Sequence, residues 1–196
     1  EDAAAARRLS ALALEHLEAG TVRLVLVGGA PGSGKSTVAR GLAAALGATA
    51  LSSDVVRKAL HSLPPEVPAP APLREGIYST ASTEATYGEL LAQARRLLGS
   101  GVSVVLDATW TSAARRVDAR RLAHEAHAAL TELECVVPDA LAEQRMARRR
   151  GSASDATGPV RAALRAAADP WPQAHRVDTA LDEPVAVKEA LHAVRP

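Results

Sequence analysis

The sequence contains no phenylalanine, and aromatic residues of every kind make up only 2% of its 196 residues. Proteins that bind single nucleic-acid strands stack the bases on aromatic side chains, so this scarcity argues against that class of function. The hydrophobic fraction is nevertheless 47%, and most of it is Ala, Leu and Val. We therefore expect one core in which aliphatic helices pack on a valine-rich sheet.

Cysteine is almost absent as well, because Cys135 is the only one in the chain. An intramolecular disulfide is excluded, and nothing implies an oxidising compartment. No apolar run approaches the roughly 18 residues of a membrane span, and the acidic start, Glu1-Asp2, lacks the basic region of a signal peptide. We expect a cytoplasmic protein with no membrane partner, and the missing initiator Met suggests a trimmed or excised chain.

A strong excess of one charge sign is also missing, since 23 basic residues face 22 acidic ones and the formal net charge is +1. Nucleic acids and membrane surfaces normally require a strong basic excess on the proteins that they attract. A small, locally bound substrate fits this balance better. Nucleic acid is therefore not an expected partner.

The chain does contain a regular alternation of short β-rich runs with longer helical runs. This pattern is typical of an α/β protein, with helices on both faces of a parallel sheet, and 196 residues suit a single domain. We predict strands at residues 23–27, 48–51, 102–106, 132–137 and 176–179. We predict helices at residues 35–46, 55–60, 83–98, 113–128, 140–149, 160–168 and 185–194.

Two segments stand outside this alternation. Helical spacing precedes Gly20, so we predict a lead-in helix within residues 1–20 in which Leu9, Leu12 and Leu17 face inward. Residues 63–73 (LPPEVPAPAPL) contain prolines that forbid a helix or a central strand, and we predict a mobile surface loop there. One domain is predicted to cover residues 21–196.

The first strand leads into GAPGSGKS (residues 29–36), which matches the phosphate-binding P-loop pattern G-x-x-x-x-G-K-[ST] and precedes a helical run. Glycines are needed because successive backbone N–H groups must turn inward around a phosphate. A chance glycine-rich turn is the alternative. In the functional interpretation, Lys35 spans the β- and γ-phosphates of ATP, and the Ser36 hydroxyl binds Mg²⁺. The predicted ATP-binding residues form a cradle of Gly29, Pro31, Gly32, Ser33, Gly34, Lys35, Ser36 and Thr37.

After the second strand, Asp54 and Arg57 lie on a short helix beside the cradle. Ligands of a doubly wound sheet bind beyond the carboxyl ends of its strands, where Asp54 can accept the proton of an attacking hydroxyl; an ordinary N-cap fits equally well. Arg57 can hold the acceptor or the transferring phosphoryl, or it can simply pair with Asp54. Lys58 is expected to be solvated. Lys35, Asp54 and Arg57 are the candidate catalytic residues.

The third strand ends at Asp107, a second carboxylate in the position expected near Mg²⁺, although Asp also ends strands as a turn residue. Ser36 and Asp107 are therefore the predicted metal ligands. Thr109 and Arg116 follow on the same edge and are candidate contacts of the acceptor. The arginines of that helix can equally form a solvated face.

Three arginines, Arg145, Arg148 and Arg149, are spaced so that they project from one side of the helix after the fourth strand. They can fork onto phosphate oxygens when a helical lid closes and excludes water, and we predict that they bind ATP. A solvated basic face or an RNA-binding patch is the alternative.

Together, GGAPGSGKS, SSDVVRK, VVLDAT and RMARRRGSASDAT resemble the P-loop kinases that include polynucleotide-kinase-like, gluconate-kinase-like and zeta-toxin-like members. The resemblance covers about residues 21–179 and implies strand order 2-3-1-4-5, Asp54 as the base, and Arg145 and Arg149 as an ATP clamp. It is closest to the ATP-binding half of two-part bacterial proteins whose other half resembles an aminoglycoside phosphotransferase. A phosphotransferase-like partner domain is therefore implied. Trp110 after Thr109 departs from the D-A-T-N of polynucleotide kinases.

The leading functional hypothesis is an ATP-dependent phosphotransferase that moves the γ-phosphoryl group onto a hydroxyl of a small molecule. Two alternatives remain open, namely an ATP-gated regulatory module and a kinase for nucleic-acid 5′-hydroxyls. Asp54 separates catalysis from gating, because only catalysis needs a base. The scarcity of aromatic residues separates a small acceptor from a nucleic-acid strand.

Overall fold

A computed structural model of the chain describes residues 2–67, 75–148 and 158–195. Its strands are β1 (Arg23–Gly28), β2 (Thr49–Ser52), β3 (Val104–Asp107), β4 (Ala129–Val136) and β5 (His175–Asp178). Its helices are α1 (Asp2–Ala19), α2 (Lys35–Leu46), α3 (Ser53–Leu60), α4 (Thr80–Gly99), α5 (Ala113–Glu125), α6 (Asp139–Arg148), α7 (Gly158–Ala166) and α8 (Glu183–Val194). A 3-10 turn, Gly76–Tyr78, precedes α4.

The five strands form one parallel sheet with the order β2-β3-β1-β4-β5. The α/β prediction is therefore confirmed, and so is the strand order that the resemblance implied. In the ladder, Asp107 stands opposite Val27 of β1 on one side and opposite Ser52 of β2 on the other. The carboxyl ends of β1, β2 and β3 consequently meet at one edge of the sheet.

The core consists of two apolar layers, one on each face of the sheet. Alternate residues of β1 point to opposite faces, because side chains of a strand have a period of two. One layer joins Leu24 and Leu26 to α4 and α5, and the other joins Val25 and Val27 to α2 and α8. Each fully buried leucine or valine contributes about 1.5–3 kcal/mol, so both helical layers are held firmly against the sheet.

Several element boundaries differ from prediction by one to three residues. Helix α4 begins three residues early, since the Ser79 side chain accepts a hydrogen bond from the Ser82 amide at 3.2 Å. Helix α5 ends early at Glu125, and His127 follows with a left-handed φ of 51°, which ends a helix. Strand β4 begins three residues early, at Ala129, because β1 pairs with it from Arg23 onward.

Helix α1 forms as predicted, but the predicted orientation of its leucines is wrong. Leu9 and Leu17 are 67% and 72% exposed, and Leu12 is also exposed. Both faces of the sheet are already covered by α2, α4, α5 and α8, so the core offers no place for these side chains. The division into a lead-in helix and a domain over residues 21–196 stays a prediction.

The prediction for Lys58 is also wrong, because this side chain is buried against the proline-rich segment and is not solvated. Its Nζ atom donates to the carbonyl oxygens of Pro65 and Val67 at 3.0 and 2.8 Å, and the side chain is only 1% exposed. Proline lacks an N–H and cannot join a regular ladder, so nearby carbonyls need another donor. The part of the predicted loop at residues 68–73 lies outside the described residues.

Across the part of the chain that the structure describes, no helix combines the length and the apolar composition that crossing a membrane requires.

Candidate active site

The cradle occupies the turn between the end of β1 and the start of α2. Gly29, Gly32 and Gly34 have φ angles of 134°, 81° and 81°, which side chains other than glycine rarely adopt. A Cβ atom at Gly29 would also lie 2.6 Å from the carbonyl oxygen of Cys135, and one at Gly32 would lie 2.7 Å from that of Ala142. The glycines are therefore required by both backbone conformation and packing.

The residues of the cradle fit a bound phosphate. The Ser33 hydroxyl is buried and has no hydrogen-bond partner within the described ranges, so a ligand oxygen would satisfy it. Lys35, only 5% exposed, begins α2, whose positive N-terminal end favours an anion at this point. Thr179 supports the turn from β5, since its hydroxyl lies 2.6 Å from the Ser33 carbonyl oxygen.

The two predicted carboxylates come to the same edge as the cradle. Asp107 is the last residue of β3 and is buried, and Asp54 follows β2, which pairs with β3. Over the three described ranges, no group of three or more His, Cys, Asp or Glu could hold a metal ion. A Mg²⁺ site at Ser36 and Asp107 would thus have few protein ligands, as is usual for a metal that also binds phosphate oxygens.

Asp54 stands in the first turn of α3, and the N-cap of that helix is Ser52, whose side chain makes no cap hydrogen bond. The capping alternative therefore does not describe Asp54. A carboxylate in the first turn is still favoured by the helix dipole, by about 0.3–1 kcal/mol. Its role as the general base stays a prediction.

Arg57 connects α3 to the segment that precedes α4. Its Nη1 donates to the Ile77 carbonyl oxygen at 3.0 Å and to the Thr83 hydroxyl at 3.2 Å, and its guanidinium lies 5.0 Å from the centre of the Tyr78 ring. Burial lowers the pKa of Arg57, and the nearby Asp54 charge opposes that effect. Arg57 is thus rigidly held close to Asp54, and its contact with an acceptor stays a prediction.

The loop after β3 is shaped by Trp110, which is fully buried and has a left-handed φ of 52°. The Tyr87 hydroxyl lies 3.2 Å from the Thr109 hydroxyl and accepts a hydrogen bond from the Trp110 amide at 3.3 Å. The Tyr87 and Trp110 rings meet edge to face, with centres 5.3 Å apart. Thr109 is consequently fixed beside the cradle, and the structure brings these two predicted site elements together.

Arg116 is buried among main-chain carbonyls. It donates to the carbonyl oxygens of Trp110 and Pro170 at 2.6 and 2.7 Å, and its guanidinium lies 5.0 Å from the Trp171 ring centre. The alternative of a solvated basic face holds for Arg121, which pairs with Asp118 at the surface, and fails for Arg116. Whether Arg116 contacts the acceptor stays a prediction.

The lid arginines are placed unequally. Arg145 donates to the Thr179 carbonyl oxygen at 2.5 Å, and its Nη1 would lie 3.5 Å from a Cβ added at Gly34, so it borders the cradle. Arg148 is exposed at the end of α6. Arg149 lies outside the described residues, and ATP binding by all three arginines stays a prediction.

Sequence reasoning missed Arg161, which reaches the cradle from α7. This side chain is 5% exposed and donates to the Pro31 carbonyl oxygen and, at 2.9 Å, to the Asp139 carboxylate. Arg165, one turn later, contacts the same carboxylate, and these hydrogen bonds lower the pKa of Asp139. The i, i+4 spacing of Arg161 and Arg165 was the available signal.

Two cavities flank the cradle. The first, of about 230 Å³, is bordered by Ser33, Thr109 and both tryptophans of the chain, Trp110 and Trp171; we call it the tryptophan cavity. The second, of about 320 Å³, is bordered by Gly34, Thr37, Arg145, Thr179 and Leu181; we call it the Arg145 cavity. The arrangement can therefore hold a phosphate chain between two separate ligand spaces.

Comparison with curated proteins gives relatives of the whole chain. Uncharacterized protein Mb2027c of Mycobacterium bovis and uncharacterized protein Rv2004c of Mycobacterium tuberculosis are each 45% identical over 195 residues. The matches cover 100% of this chain and 39% of each relative. The chain thus spans about two fifths of the length of the curated relatives that it matches.

Solved structures of kinases have the same fold. A sugar kinase from Janibacter sp. HTCC2649 has a TM-score of 0.65 at 18% identity and covers 89% of this chain and 95% of its own. A gluconokinase from Sinorhizobium meliloti has a TM-score of 0.62 at 20% identity, with 89% and 91% covered. The APS kinase of Mycobacterium tuberculosis, in complex with AMPPNP and APS, has a TM-score of 0.64 at 21% identity, with 90% and 99% covered.

A family match completes the comparison, since residues 24–171 match the family AAA_33, described as AAA domain. The matched range contains the cradle, all of β1 except its first residue, β2 to β4 and both predicted carboxylates. The cradle, the strand order and this match over most of the chain together identify the protein as a member of the AAA_33 family with the fold of a P-loop kinase.

Proposed function

We propose that this protein is an ATP-dependent phosphotransferase that moves the γ-phosphoryl group of ATP onto a hydroxyl of a small molecule. The observation that carries the proposal is that the elements bearing Lys35, Asp54 and Asp107 come together at one edge of the sheet, where β1, β2 and β3 end side by side. The printed names of three fold neighbours, a sugar kinase, a gluconokinase and an APS kinase, support the same class of reaction.

Nucleotide binding is assigned to the cradle and to the Arg145 cavity. Backbone N–H groups, Ser33 and Lys35 would hold the β- and γ-phosphates, while the Arg145 cavity would take the nucleoside because it begins at Gly34 and Thr37. The Ser36 hydroxyl and the Asp107 carboxylate would hold Mg²⁺. When bound, this ion neutralises part of the phosphate charge.

In the transfer step, Asp54 takes the proton of the acceptor hydroxyl as its oxygen bonds to the γ-phosphorus. The bond from that phosphorus to the bridging oxygen breaks, and the electron pair leaves with ADP. Lys35 stabilises the charge that develops on the phosphate oxygens, and Arg57 orients the groups beside Asp54. Helices α6 and α7 would exclude water, because water competes with the acceptor for the phosphoryl group.

The experiment is to screen the purified chain for ATP consumption against sugars, sugar acids, aminoglycosides, nucleosides and oligonucleotides. We expect turnover with at least one small hydroxyl compound, and Lys35→Ala should abolish it while weakening Mg-ATP binding by about 2 kcal/mol or more. Lys188→Ala is the matched control, because Lys188 is an exposed lysine of α8. Unchanged ATP affinity in Lys35→Ala would overturn the proposal.

A nucleotide-gated regulatory role is the second candidate, and the contact of Arg161 in α7 with the Pro31 carbonyl of the cradle favours it. The conformational change on ATP binding would be transmitted to a phosphotransferase-like partner domain. We propose such a domain because the chain spans only 39% of the length of its relatives. ATP binding without turnover on any acceptor class, together with an ATP-dependent activity of the longer protein, would support gating over transfer.

A further inference from the structure

The tryptophan cavity borders the cradle and shares no lining residue with the Arg145 cavity, the proposed nucleoside site. Its border includes Gly29, Ala30 and Ser33 of the cradle, together with Thr109 of the loop after β3. Because β3 lies between β1 and β2, the loop after β3 stands next to the carboxyl end of β2, which Asp54 follows. A molecule in the cavity therefore lies at the edge of the phosphate site.

The border of this cavity carries an excess of positive charge. Four arginines line it, and only two acidic residues do, which leaves two positive charges uncompensated within the lining. The Asp139 carboxylate, which contacts Arg161 and Arg165 from outside the lining, reduces the excess to one. Arg120 and Glu132, which pair with each other and also act on Arg116 from outside the lining, add no net charge. The lining arginines are Arg116, Arg161, Arg165 and Arg176, and the acidic residues are Glu134 and Asp169.

The buried charge of Arg116 lowers the stability of the fold as long as no anion occupies the cavity. Its side chain is 2% exposed, and its hydrogen bonds go to neutral carbonyl oxygens. Burial lowers the pKa of Arg116, and the charges of Asp169, Glu132 and Glu134 offset only part of that effect. Its Nε atom is buried and makes no hydrogen bond to any described residue. A buried charge needs a compensating partner to avoid a penalty of several kcal/mol, and an anion in the cavity would supply one.

The size and the wall chemistry of the cavity suit a small molecule. A volume of about 230 Å³ is below the roughly 300–1,000 Å³ of sites for drug-sized ligands. The lining also includes the apolar side chains of Trp110, Trp171 and Leu164, which suit the carbon skeleton of a metabolite.

We propose that the tryptophan cavity is the acceptor pocket and that its acceptor is a small hydroxylated anion, with a carboxylate or a phosphate ester held by the lining arginines. This inference rests on the proposed phosphotransferase function and adds the charge class of the acceptor. Guanidinium groups favour both anions, because their fork of N–H donors matches two oxygens at once.

Intrinsic fluorescence tests the proposal directly, since both tryptophans of the chain border the cavity. Without nucleotide, the protein would be titrated with gluconate as the carboxylate probe, glucose 6-phosphate as the phosphate-ester probe, and glucose as their neutral counterpart. We expect at least one anion to change the emission with a Kd at least tenfold lower than that of glucose. The difference in affinity between this anion and glucose should decrease as the ionic strength rises.

Two exposed arginines allow variants that spare the fold. Arg165→Gln and Arg176→Gln should each raise the Kd of the preferred anion about tenfold, the loss expected for one charge-assisted contact, and leave that of glucose within about twofold. Arg121→Gln is the matched control, because Arg121 is an exposed arginine of α5 that does not line the cavity. Thermal unfolding of each variant would verify that it is folded.

Lys35→Ala distinguishes binding in the tryptophan cavity from binding in the cradle. An anion that binds in the cradle should lose affinity in this variant, whereas an anion in the tryptophan cavity should not. The proposal is overturned if neither anion binds more tightly than glucose, if the preference survives both arginine substitutions, or if Lys35→Ala abolishes it. Anion binding that persists in a protein with no ATP turnover would contradict the phosphotransferase function alone. Turnover of a neutral acceptor only would contradict this inference alone.

Discussion

At the scale of single residues, Asp54 offers the sharpest test of the chemistry. Asp54→Asn should reduce phosphate transfer by about 10²- to 10⁴-fold, the usual contribution of a general base. ATP affinity should be unchanged, and stability should fall by no more than about 1 kcal/mol, since only the favourable charge in the first turn of α3 is lost. Transfer assays, calorimetric ATP titration and thermal unfolding measure the three quantities.

Asp118→Asn is the control for that variant, because Asp118 is a carboxylate of α5 that pairs with Arg121 at the surface. It should leave transfer unchanged. Full transfer activity in Asp54→Asn would remove the base from the mechanism and leave Asp54 as a residue that only favours the helix start.

Cys135 should be chemically inert in the folded protein. Burial raises the pKa of its thiol to about 12, so at pH 8 only about 1 in 10⁴ thiols is ionised, and the thiolate is the reactive form. A thiol reagent should therefore react slowly in native buffer and rapidly in denaturant. Rapid native labelling would show that β4 opens readily.

The raised pKa of Cys135 also determines the direction in which the free energy of unfolding changes with pH. The folded-state pKa lies above the ordinary value near 8.5, so the contribution of the neutral thiol is fully present below pH 8.5. It is lost as the pH rises from about 8.5 towards 12, because the unfolded chain then releases the proton first. Cys135→Ala should show a weaker loss of stability over that interval in unfolding titrations.

At the scale of elements, α6 and α7 reach the cradle by different contacts, and α6 gives the cleaner prediction. Arg145→Ala removes the hydrogen bond to the Thr179 carbonyl and one wall of the Arg145 cavity. We expect turnover to fall by about tenfold or more, while stability changes by only about 1 kcal/mol. Steady-state kinetics with ATP and thermal unfolding separate the two effects.

Arg40→Ala is the matched control for the lid prediction, because Arg40 is an exposed arginine of α2. Its loss should alter neither kinetics nor stability measurably, since exposed arginines contribute little. If Arg145→Ala kept full activity with an identified acceptor, Arg145 would be a support of β5 and not a ligand of the nucleotide.

At the scale of the whole molecule, Glu132 joins the sheet, α5 and the segment before β5. Its carboxylate accepts two hydrogen bonds from Arg120, at 2.6 and 2.8 Å, and one from the Trp171 indole at 2.6 Å. Glu132→Ala leaves these donors without their acceptor and should destabilise the fold by about 2–3 kcal/mol. Chemical denaturation measures the loss.

The control pair is Arg95 and Glu125, an ion pair in which both side chains are solvent-exposed. Glu125→Ala should cost less than about 1 kcal/mol. Equal effects of the two substitutions would mean that the Glu132 network contributes no more than a surface ion pair.

Much of the fold and of the nucleotide site follows from local sequence. The cradle could be predicted because the glycine and lysine positions of its turn lie within eight consecutive residues. The strands could be predicted because β1 and β3 are continuous apolar runs, which is how a parallel strand buried on both faces appears. Asp54 and Asp107 could then be assigned to one edge, because parallel strands all end on the same side.

Only the tertiary structure decided which distant residues meet. Arg161 contacts Pro31 across 130 positions, Lys58 is buried by carbonyls of a segment that folds back on it, and the leucines of α1 remain exposed because the sheet is already covered. None of these outcomes has a local signature, since burial and long-range contacts depend on how complete elements pack. The sequence by itself therefore determined the phosphate-binding turn and the strand and helix types. Packing decided the two cavities and the charge of their walls.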